Sequence, residues 1–316
     1  MSDPYVRPDV RLFLDYYNNL PGPRAHEVGP NQARAMILAS RHVADADVGE
    51  LAVIRDLSCP GPGGEIALRL YDARATREAG ALLLFFHGGG FVFGDLDTHE
   101  PFCAEVARQL DLPLLAVDYR LAPEHPFPAG AEDCIAAARW AAGNPLELGR
   151  KVTGLVTAGD SAGGNFAIVA SLALRDEPAA VPVIAQWPIY PAADPANGYP
   201  SFKDFGEGYF LSHEGMQWFD GCYRPDKADW RYSPLLKSQA GMPPTLVQTA
   251  SLDPIRDQGR AYAAACAQAG VPVVFREADG NIHGFINFRR AIPSSGEDIR
   301  AGCEALKLIL KEAQAI

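Results

Sequence analysis

The sequence is short of basic residues and of long apolar runs. Its 316 residues include 28 Lys and Arg against 39 Asp and Glu, for a net charge of −11. An acidic surface repels phosphate backbones and anionic lipid, so we expect no nucleic-acid partner and no membrane partner. No apolar stretch is long enough to span a bilayer, and the N-terminus lacks the basic-then-apolar order of a signal peptide.

Motifs that hold metals or nucleotides are also missing. The six cysteines form no CxxC pair, and the seven histidines include no HExxH, so we predict no metal site. The glycines at 88–90 lack the Lys and Ser/Thr of a phosphate loop, and Phe93 stands where a dinucleotide-binding pattern needs its third glycine. Scattered cysteines predict reduced, mostly buried thiols and a cytoplasmic protein.

What is present is an alternation of strand and helix patterns. Residues 9–20 and 31–45 predict helices, and residues 51–57 and 65–72 predict a hairpin joined by the turn-rich SCPGPGG. Six apolar runs then predict buried strands, at 81–86, 113–119, 152–158, 181–187, 245–250 and 271–278. Helical patterns follow most of them, at 98–110, 130–141, 162–175, 256–269 and 296–311. This alternation predicts an α/β fold whose eight-stranded, mostly parallel sheet is flanked by helices.

One segment interrupts the alternation. Residues 195–237 are rich in aromatic residues, Gly, Pro and Asp, and contain no strand-like run. An insertion of this length between core strands usually has a function. We predict that it forms a cap over the carboxyl end of the sheet together with residues 1–45. The main domain would then consist of residues 46–194 and 238–316.

The stretch TAGDSAGGNF, residues 157–166, places a glycine on each side of Asp-Ser-Ala. It fits the pattern G-x-S-x-G after a predicted strand and before a predicted helix, which is the context of a nucleophile elbow. The flanking glycines avoid collisions in a sharp turn, and a helix N-terminus favours negative charge that develops near Ser161. The pattern predicts Ser161 as a nucleophile, although an ordinary tight turn would also fit it.

The stretch FFHGGGFVFG, residues 85–94, follows another predicted strand. Three consecutive glycines leave main-chain N–H groups unobstructed, which is what an oxyanion hole requires. We predict that the donors are the amides of Gly88, Gly89 and Ala162.

A nucleophilic serine needs a histidine base, which in turn needs an orienting acid. Folds with this turn place them in the order Ser, acid, His, and only His213 and His283 follow Ser161. His283 lies just after the last predicted strand on a glycine-flanked loop, whereas His213 lies inside the insertion. The positions favour His283 as the base.

Two aspartates, Asp253 and Asp257, follow the predicted strand at 245–250. Asp257 is expected in the first turn of the next helix, where the helix dipole stabilises a carboxylate. We therefore assign the orienting role to Asp253. Asp279 is a weaker alternative because it is too close to His283 in sequence to orient it easily.

Five ordered motifs resemble those of the bacterial hormone-sensitive-lipase-like esterases (family IV, GDSAG type) of the α/β-hydrolase fold. They are HGGGFV (87–92), YRLAPEHPFPA (119–129), GDSAGGN (159–165), DPIRDQG (253–259) and IHGF (282–285). The resemblance runs from about residue 5 to the C-terminus. It implies a Ser161–His283–Asp253 triad, the oxyanion hole named above, a helical cap, and hydrolysis of short acyl esters without a cofactor; it also allows a homodimer. Ile255 and Gln258 depart from the commoner Leu and Glu.

We therefore expect a serine carboxylesterase that forms an acyl-enzyme from short- to medium-chain esters, since the insertion carries many bulky rings. Phe91, Tyr190 and Phe210 are candidate substrate contacts. Because His283 must be neutral to act as a base, activity is expected to fall below about pH 6 to 6.5.

Two alternatives stay open. The same site could act on a thioester or an amide, or as a lyase on a hydroxylated compound. The protein could also be a non-hydrolytic receptor for a small ligand, as the plant gibberellin receptors are, although they have lost the histidine that stands here at His283.

Overall fold

A sheet of eight strands forms the centre of the molecule in the computed structural model, which describes residues 4–313. The strand order is β1-β2-β4-β3-β5-β6-β7-β8. Strand β2 runs antiparallel to both of its neighbours, and the other adjacent pairs are parallel. The strands are β1 (Val53–Gly61), β2 (Gly64–Asp72), β3 (Gly80–Phe86), β4 (Leu114–Asp118), β5 (Val152–Asp160), β6 (Val183–Ile189), β7 (Thr245–Leu252) and β8 (Val273–Ile282).

Helices cover both faces of this sheet. They are α1 (Pro8–Asn18), α2 (Pro30–Ala44), α3 (Glu100–Leu110), α4 (Ala129–Ala142), α5 (Ala162–Asp176), α6 (Pro200–Phe205), α7 (His213–Tyr223), α8 (Arg256–Gln268) and α9 (Ser295–Glu312). Along β3, Leu82 and Leu84 pack toward α4 and α5, whereas Leu83 and Phe85 pack toward α3 and α9. A strand that is buried on both faces must be apolar at every position, which explains the continuous run in the sequence.

The predicted eight-stranded, mostly parallel sheet is confirmed, with one difference in the hairpin. Strand β1 continues to Gly61 through Cys59 and Pro60, where the turn was expected, and the chain reverses at residues 62–63. Proline is tolerated there because β1 is an edge strand. Cys59 is fully buried and pairs with Ile66 across the hairpin. The residues that were expected to form the turn therefore belong to the strand.

Residues 195–237 contain α6 and α7 and no strand. Near the carboxyl ends of β7 and β8, Val10 and Leu14 of α1 join Phe205 in one buried apolar cluster. From α2, the Arg34 guanidinium donates to the carbonyl oxygen of Val92 at 2.8 Å. The N-terminal helices and the insertion therefore both lie at the carboxyl side of the sheet.

Two further features bear on the sequence-based expectations. All six cysteines have free thiols, and Cys222 alone among them is only half-buried. Across residues 4–313, no helix has the length and apolar character that crossing a bilayer requires. Residues 1–3 and 314–316 of the predicted domain bounds lie outside the described residues.

Candidate active site

Ser161 occupies a strained turn between β5 and α5. Its φ is +54° and its ψ −115°, a conformation that side-chain-bearing residues rarely adopt. A Cβ on Gly159 would collide with the carbonyl oxygen of Gly163, and a Cβ on Gly163 would collide with that of Phe86. The two glycines are therefore required by contacts with the backbone, and the turn holds the Ser161 hydroxyl beyond the end of the strand.

His283 and Asp253 lie beside this hydroxyl. His283 Nε2 is 2.9 Å from Ser161 Oγ, and His283 Nδ1 is 2.7 Å from Asp253 Oδ2. Asp253 directly follows β7 and His283 directly follows β8, so adjacent parallel strands deliver the two side chains to the same edge of the sheet. A carboxylate only accepts, so Nδ1–H donates to Asp253 and Nε2 is left to accept from Ser161.

His213 and Asp257, the alternatives for the base and for the orienting acid, make contacts elsewhere. His213 Nε2 bonds to the carbonyl oxygen of Phe202. Asp257 accepts from Arg256 Nε at 2.8 Å and from the Ser201 N–H at 3.0 Å. Burial alone would raise the pKa of the Asp257 carboxyl, but these hydrogen bonds lower it below its usual value. Asp257 is therefore held in a structural role at the start of α8.

The glycine loop requires a correction to the predicted oxyanion hole. The Gly88 N–H donates to Asp160 Oδ1 at 2.7 Å, so this amide is already engaged. Within residues 4–313, the N–H groups of Gly89, Gly90 and Ala162 have no acceptor. Gly90 and Ala162 line the same cavity as Ser161. The free donors are therefore Gly89, Gly90 and Ala162, and the sequence-based choice of Gly88 was wrong.

Glycine is needed at both loop positions because of close approach. Gly89 has φ +126° and Gly90 has φ +59°, values that favour glycine. A Cβ on Gly89 would collide with the Phe93 carbonyl, and one on Gly90 would collide with the Phe219 ring. The sequence shows three identical residues here, so it could not reveal which amide the fold occupies.

A cavity of about 310 Å³ opens in front of Ser161. Its apolar lining comes largely from the insertion and from the glycine loop: Phe91, Phe202, Leu211, Met216, Phe219 and Ile255. Its polar lining includes Asn197, Gln217, Asp220, Lys227 and Gln258. Most of the residues that line the cavity belong to the segment 195–237, and the cavity has room for a small organic molecule.

Of the three aromatic residues predicted to contact a substrate, Phe91 alone lines this cavity. The Tyr190 ring is fully buried behind His283, with the ring centroids 4.6 Å apart. The Phe210 ring packs against Phe13, Tyr17 and Phe288. Sequence position alone did not distinguish rings that face the cavity from rings that support its walls.

No group of His, Cys, Asp and Glu side chains in residues 4–313 is arranged to hold a metal ion. His87, the residue before the three glycines, is buried. Burial and the neighbouring His99 lower the pKa of His87 to about 4, and its ring stacks on Tyr119 at 4.2 Å between centroids.

Comparison with known proteins agrees with this architecture. The family model described as the alpha/beta hydrolase fold matches residues 83–287. Carboxylic ester hydrolase LipN of Mycobacterium tuberculosis is 42% identical over 244 residues, which are 74% of this chain and 64% of LipN. Ethyl acetate hydrolase of Pseudomonas putida is 35% identical over 289 residues, which are 89% of this chain and 91% of that protein.

Solved structures show the same relationship over nearly the whole chain. An ester hydrolase from the Lake Arreo metagenome superimposes with a TM-score of 0.90 at 35% identity, covering 96% of this chain and 98% of that one. A thermostable esterase from Pseudomonas putida superimposes with a TM-score of 0.91 at 29% identity, covering 98% of this chain and 99% of that one. With its ordered motifs, its sheet topology and these similarities, the chain belongs to the hormone-sensitive-lipase-like esterases of the α/β-hydrolase fold.

Proposed function

We propose that this protein is a serine carboxylesterase that hydrolyses short- to medium-chain acyl esters through an acyl-enzyme. The observation that carries the proposal is the continuous line of hydrogen bonds from Ser161 Oγ to His283 at 2.9 Å and from His283 to Asp253 at 2.7 Å. This line ends at a cavity, beside main-chain N–H groups that have no acceptor in the described chain.

The residues act in two half-reactions. Ser161 Oγ attacks the ester carbonyl while His283 Nε2 takes its proton, and Asp253 stabilises the imidazolium that forms. The Gly89, Gly90 and Ala162 amides donate to the tetrahedral oxyanion, with about 3 kcal/mol of stabilisation typical for one donor. His283 then protonates the leaving alcohol. A water that gives its proton to His283 attacks the acyl-enzyme and releases the acid and Ser161.

The size of the cavity supports short to medium acyl chains. Its volume is about 310 Å³, and rings from α6 and α7 form part of its walls, dimensions that favour short and medium acyl chains. We assign residues 1–45 and 195–237, which lie at the carboxyl side of the sheet, to a cap, and residues 46–194 and 238–316 to the catalytic domain. No cofactor takes part in the proposed reaction.

The setting of the enzyme is also part of the proposal. Six free thiols, most of them buried, are typical of a protein that stays in the reducing cytoplasm. A homodimer is compatible with the family, and light scattering of the purified protein measures it directly.

The test is the Ser161→Ala variant, assayed with p-nitrophenyl esters from acetyl to decanoyl. We expect kcat to fall by about 10⁴-fold or more, because no other group replaces the nucleophile. Ser40→Ala, on the exposed part of α2, is the matched control and should retain wild-type kcat. Substantial activity in Ser161→Ala would refute the proposal. A parallel panel of thioesters and amides shows whether the ester is the preferred acyl donor.

The chain-length claim has its own pair of variants. Phe202→Ala enlarges the cavity and should shift the preferred substrate toward longer acyl chains, by roughly tenfold in relative kcat/KM. Phe210→Ala removes a ring of similar size that does not line the cavity, and should leave the preference unchanged. An equal shift in both variants would contradict the assignment of the cavity as the acyl site.

A further inference from the structure

Asp160, directly before Ser161, is a buried carboxylate that the reaction above does not use. Its side chain is 3% exposed and lies at the end of β5. A negative charge near a developing oxyanion opposes its formation. A buried carboxylate at this position therefore needs a compensating role, and its contacts indicate what that role is.

The first contact is with the glycine loop. Asp160 Oδ1 accepts the Gly88 N–H at 2.7 Å, and a Cβ on Gly88 would collide with the same carboxylate. The carbonyl oxygen of Gly88 is held too, because His87 Nδ1 lies 2.9 Å away. The Tyr119 hydroxyl donates to the His87 carbonyl oxygen at 2.7 Å. The peptide unit between His87 and Gly88 is thus fixed at both ends from the buried side, and the unit between Gly88 and Gly89 is fixed at its carbonyl end.

The second contact is with His99. The Thr98 hydroxyl lies 3.0 Å from His99 Nδ1 and donates to it, which leaves the ring N–H on Nε2, the nitrogen beside a carboxylate that only accepts. His99 Nε2 then faces Asp160 Oδ1 at 3.3 Å. The Asn287 amide, on the loop that follows His283, lies 3.1 Å from the same nitrogen. His99 therefore connects the nucleophile turn with the loop that carries the base.

The charge of Asp160 is supported by these neighbours. Burial alone would raise the pKa of its carboxyl, but the charge and hydrogen bond of His99 and the Gly88 N–H lower it below the usual value. The Tyr190 hydroxyl donates to Asp160 Oδ2 at 3.4 Å. The carboxylate thus stays an acceptor and does not become a donor that would repel the Gly88 N–H.

We propose that Asp160 is the positioning residue of the oxyanion hole, holding the Gly88 amide so that the Gly89 and Gly90 amides point at the reacting oxygen. His99 fixes the carboxylate that does this. The inference rests on the proposed esterase function. It explains why the amide that the sequence favoured as a donor is turned inward.

The test compares Asp160→Asn and Asp160→Val with wild type, using kcat and KM for p-nitrophenyl acetate. The test also measures the inhibition constant of a phenyl trifluoromethyl ketone. The serine adds to the carbonyl group of this ketone, and the adduct carries an oxyanion. Rates are expressed per active site titrated with a fluorophosphonate, so that loss of folded protein does not count. Matched controls are Asp72→Asn and Asp72→Val, since Asp72 is also buried and paired with Arg77, but at the opposite edge of the sheet.

Valine removes the acceptor, so kcat should fall by about 10²- to 10³-fold and inhibitor affinity by a similar factor, with KM within roughly threefold. Asparagine keeps one neutral acceptor oxygen, which bonds more weakly, so both quantities should fall by about 3- to 10-fold. The Asp72 variants should lose stability but keep kcat per titrated site.

Wild-type kcat and inhibitor affinity in Asp160→Asn would overturn the proposal even where Asp160→Val does not fold. A loss confined to KM, or an equal loss of kcat in the Asp72 variants, would overturn it as well. If wild type itself neither cleaves the ester nor binds the ketone, the esterase function is what fails.

Discussion

Two histidine–aspartate pairs lie on opposite sides of the nucleophile turn. On the cavity side, His283 and Asp253 are 2.7 Å apart and the third group is the Ser161 hydroxyl. On the buried side, His99 and Asp160 are 3.3 Å apart and the third group is the Gly88 N–H. The residue types are the same, so what differs is the group that each pair contacts. By our proposals, one pair moves a proton and the other holds a loop.

The largest expected effect tests the cavity side. In Asp253→Asn the amide can no longer hold His283 with Nδ1–H toward it, so kcat for p-nitrophenyl acetate should fall by about 10⁴-fold. Asp257→Asn is the matched control, four residues further on and bonded to Arg256 and Ser201, and should retain kcat within roughly threefold. A comparable loss in both variants would show that the two aspartates do not have the separate roles assigned here.

The next effect tests the tight packing on the buried side. In Gly163→Ala the new methyl group would collide with the Phe86 carbonyl oxygen, and the backbone cannot retreat. The free energy of unfolding, measured with urea, should fall by about 3 to 4 kcal/mol. Gly296→Ala lies in the first turn of α9, where nothing is within 4 Å, and should change stability by at most ~0.5 to 1 kcal/mol. Similar losses in the two variants would mean that Gly163 is not sterically constrained.

The smallest effect concerns the pH dependence of stability on the buried side. Because burial lowers the pKa of His87 from 6.5 to about 4, the unfolded chain binds more protons than the folded one between these values. This histidine's contribution should therefore lower the free energy of unfolding as pH falls from 6.5 to 4, by up to ~3 kcal/mol. Urea denaturation at pH 7 and pH 4.5 measures the decline. His87→Gln should show a shallower decline, and an equally steep one would contradict the assignment to His87.

The comparison also shows how far local sequence patterns reach. Continuous apolar runs indicate strands that are buried on both faces of the sheet, and helical spacings indicate the helices that cover them. The strands and helices were therefore predicted to within a few residues. The hairpin was the exception, because Pro60 and its neighbouring glycine are typical of turns, yet an edge strand tolerates them. Loops that follow strands were also identifiable, which is why Ser161, Asp253 and His283 could be named as one group.

Contacts between segments that are distant along the chain could not be predicted from local sequence patterns. Gly88 and Asp160 are 72 residues apart, and only their approach in the fold decides that the Gly88 amide is occupied and the next two are free. Leu211 lines the cavity while its neighbour Phe210 packs against α1, a difference set by the orientation of one loop.

The sequence by itself determined the strand–helix alternation, the sharp turn at Ser161 and the order of the three polar residues, because each depends on neighbours along the chain. The tertiary structure alone decided which amides are free, which rings face the cavity and what the buried carboxylate holds. These three features depend on side chains and backbone groups that the fold brings together from separate strands. No single local sequence pattern specifies how such groups are placed relative to one another.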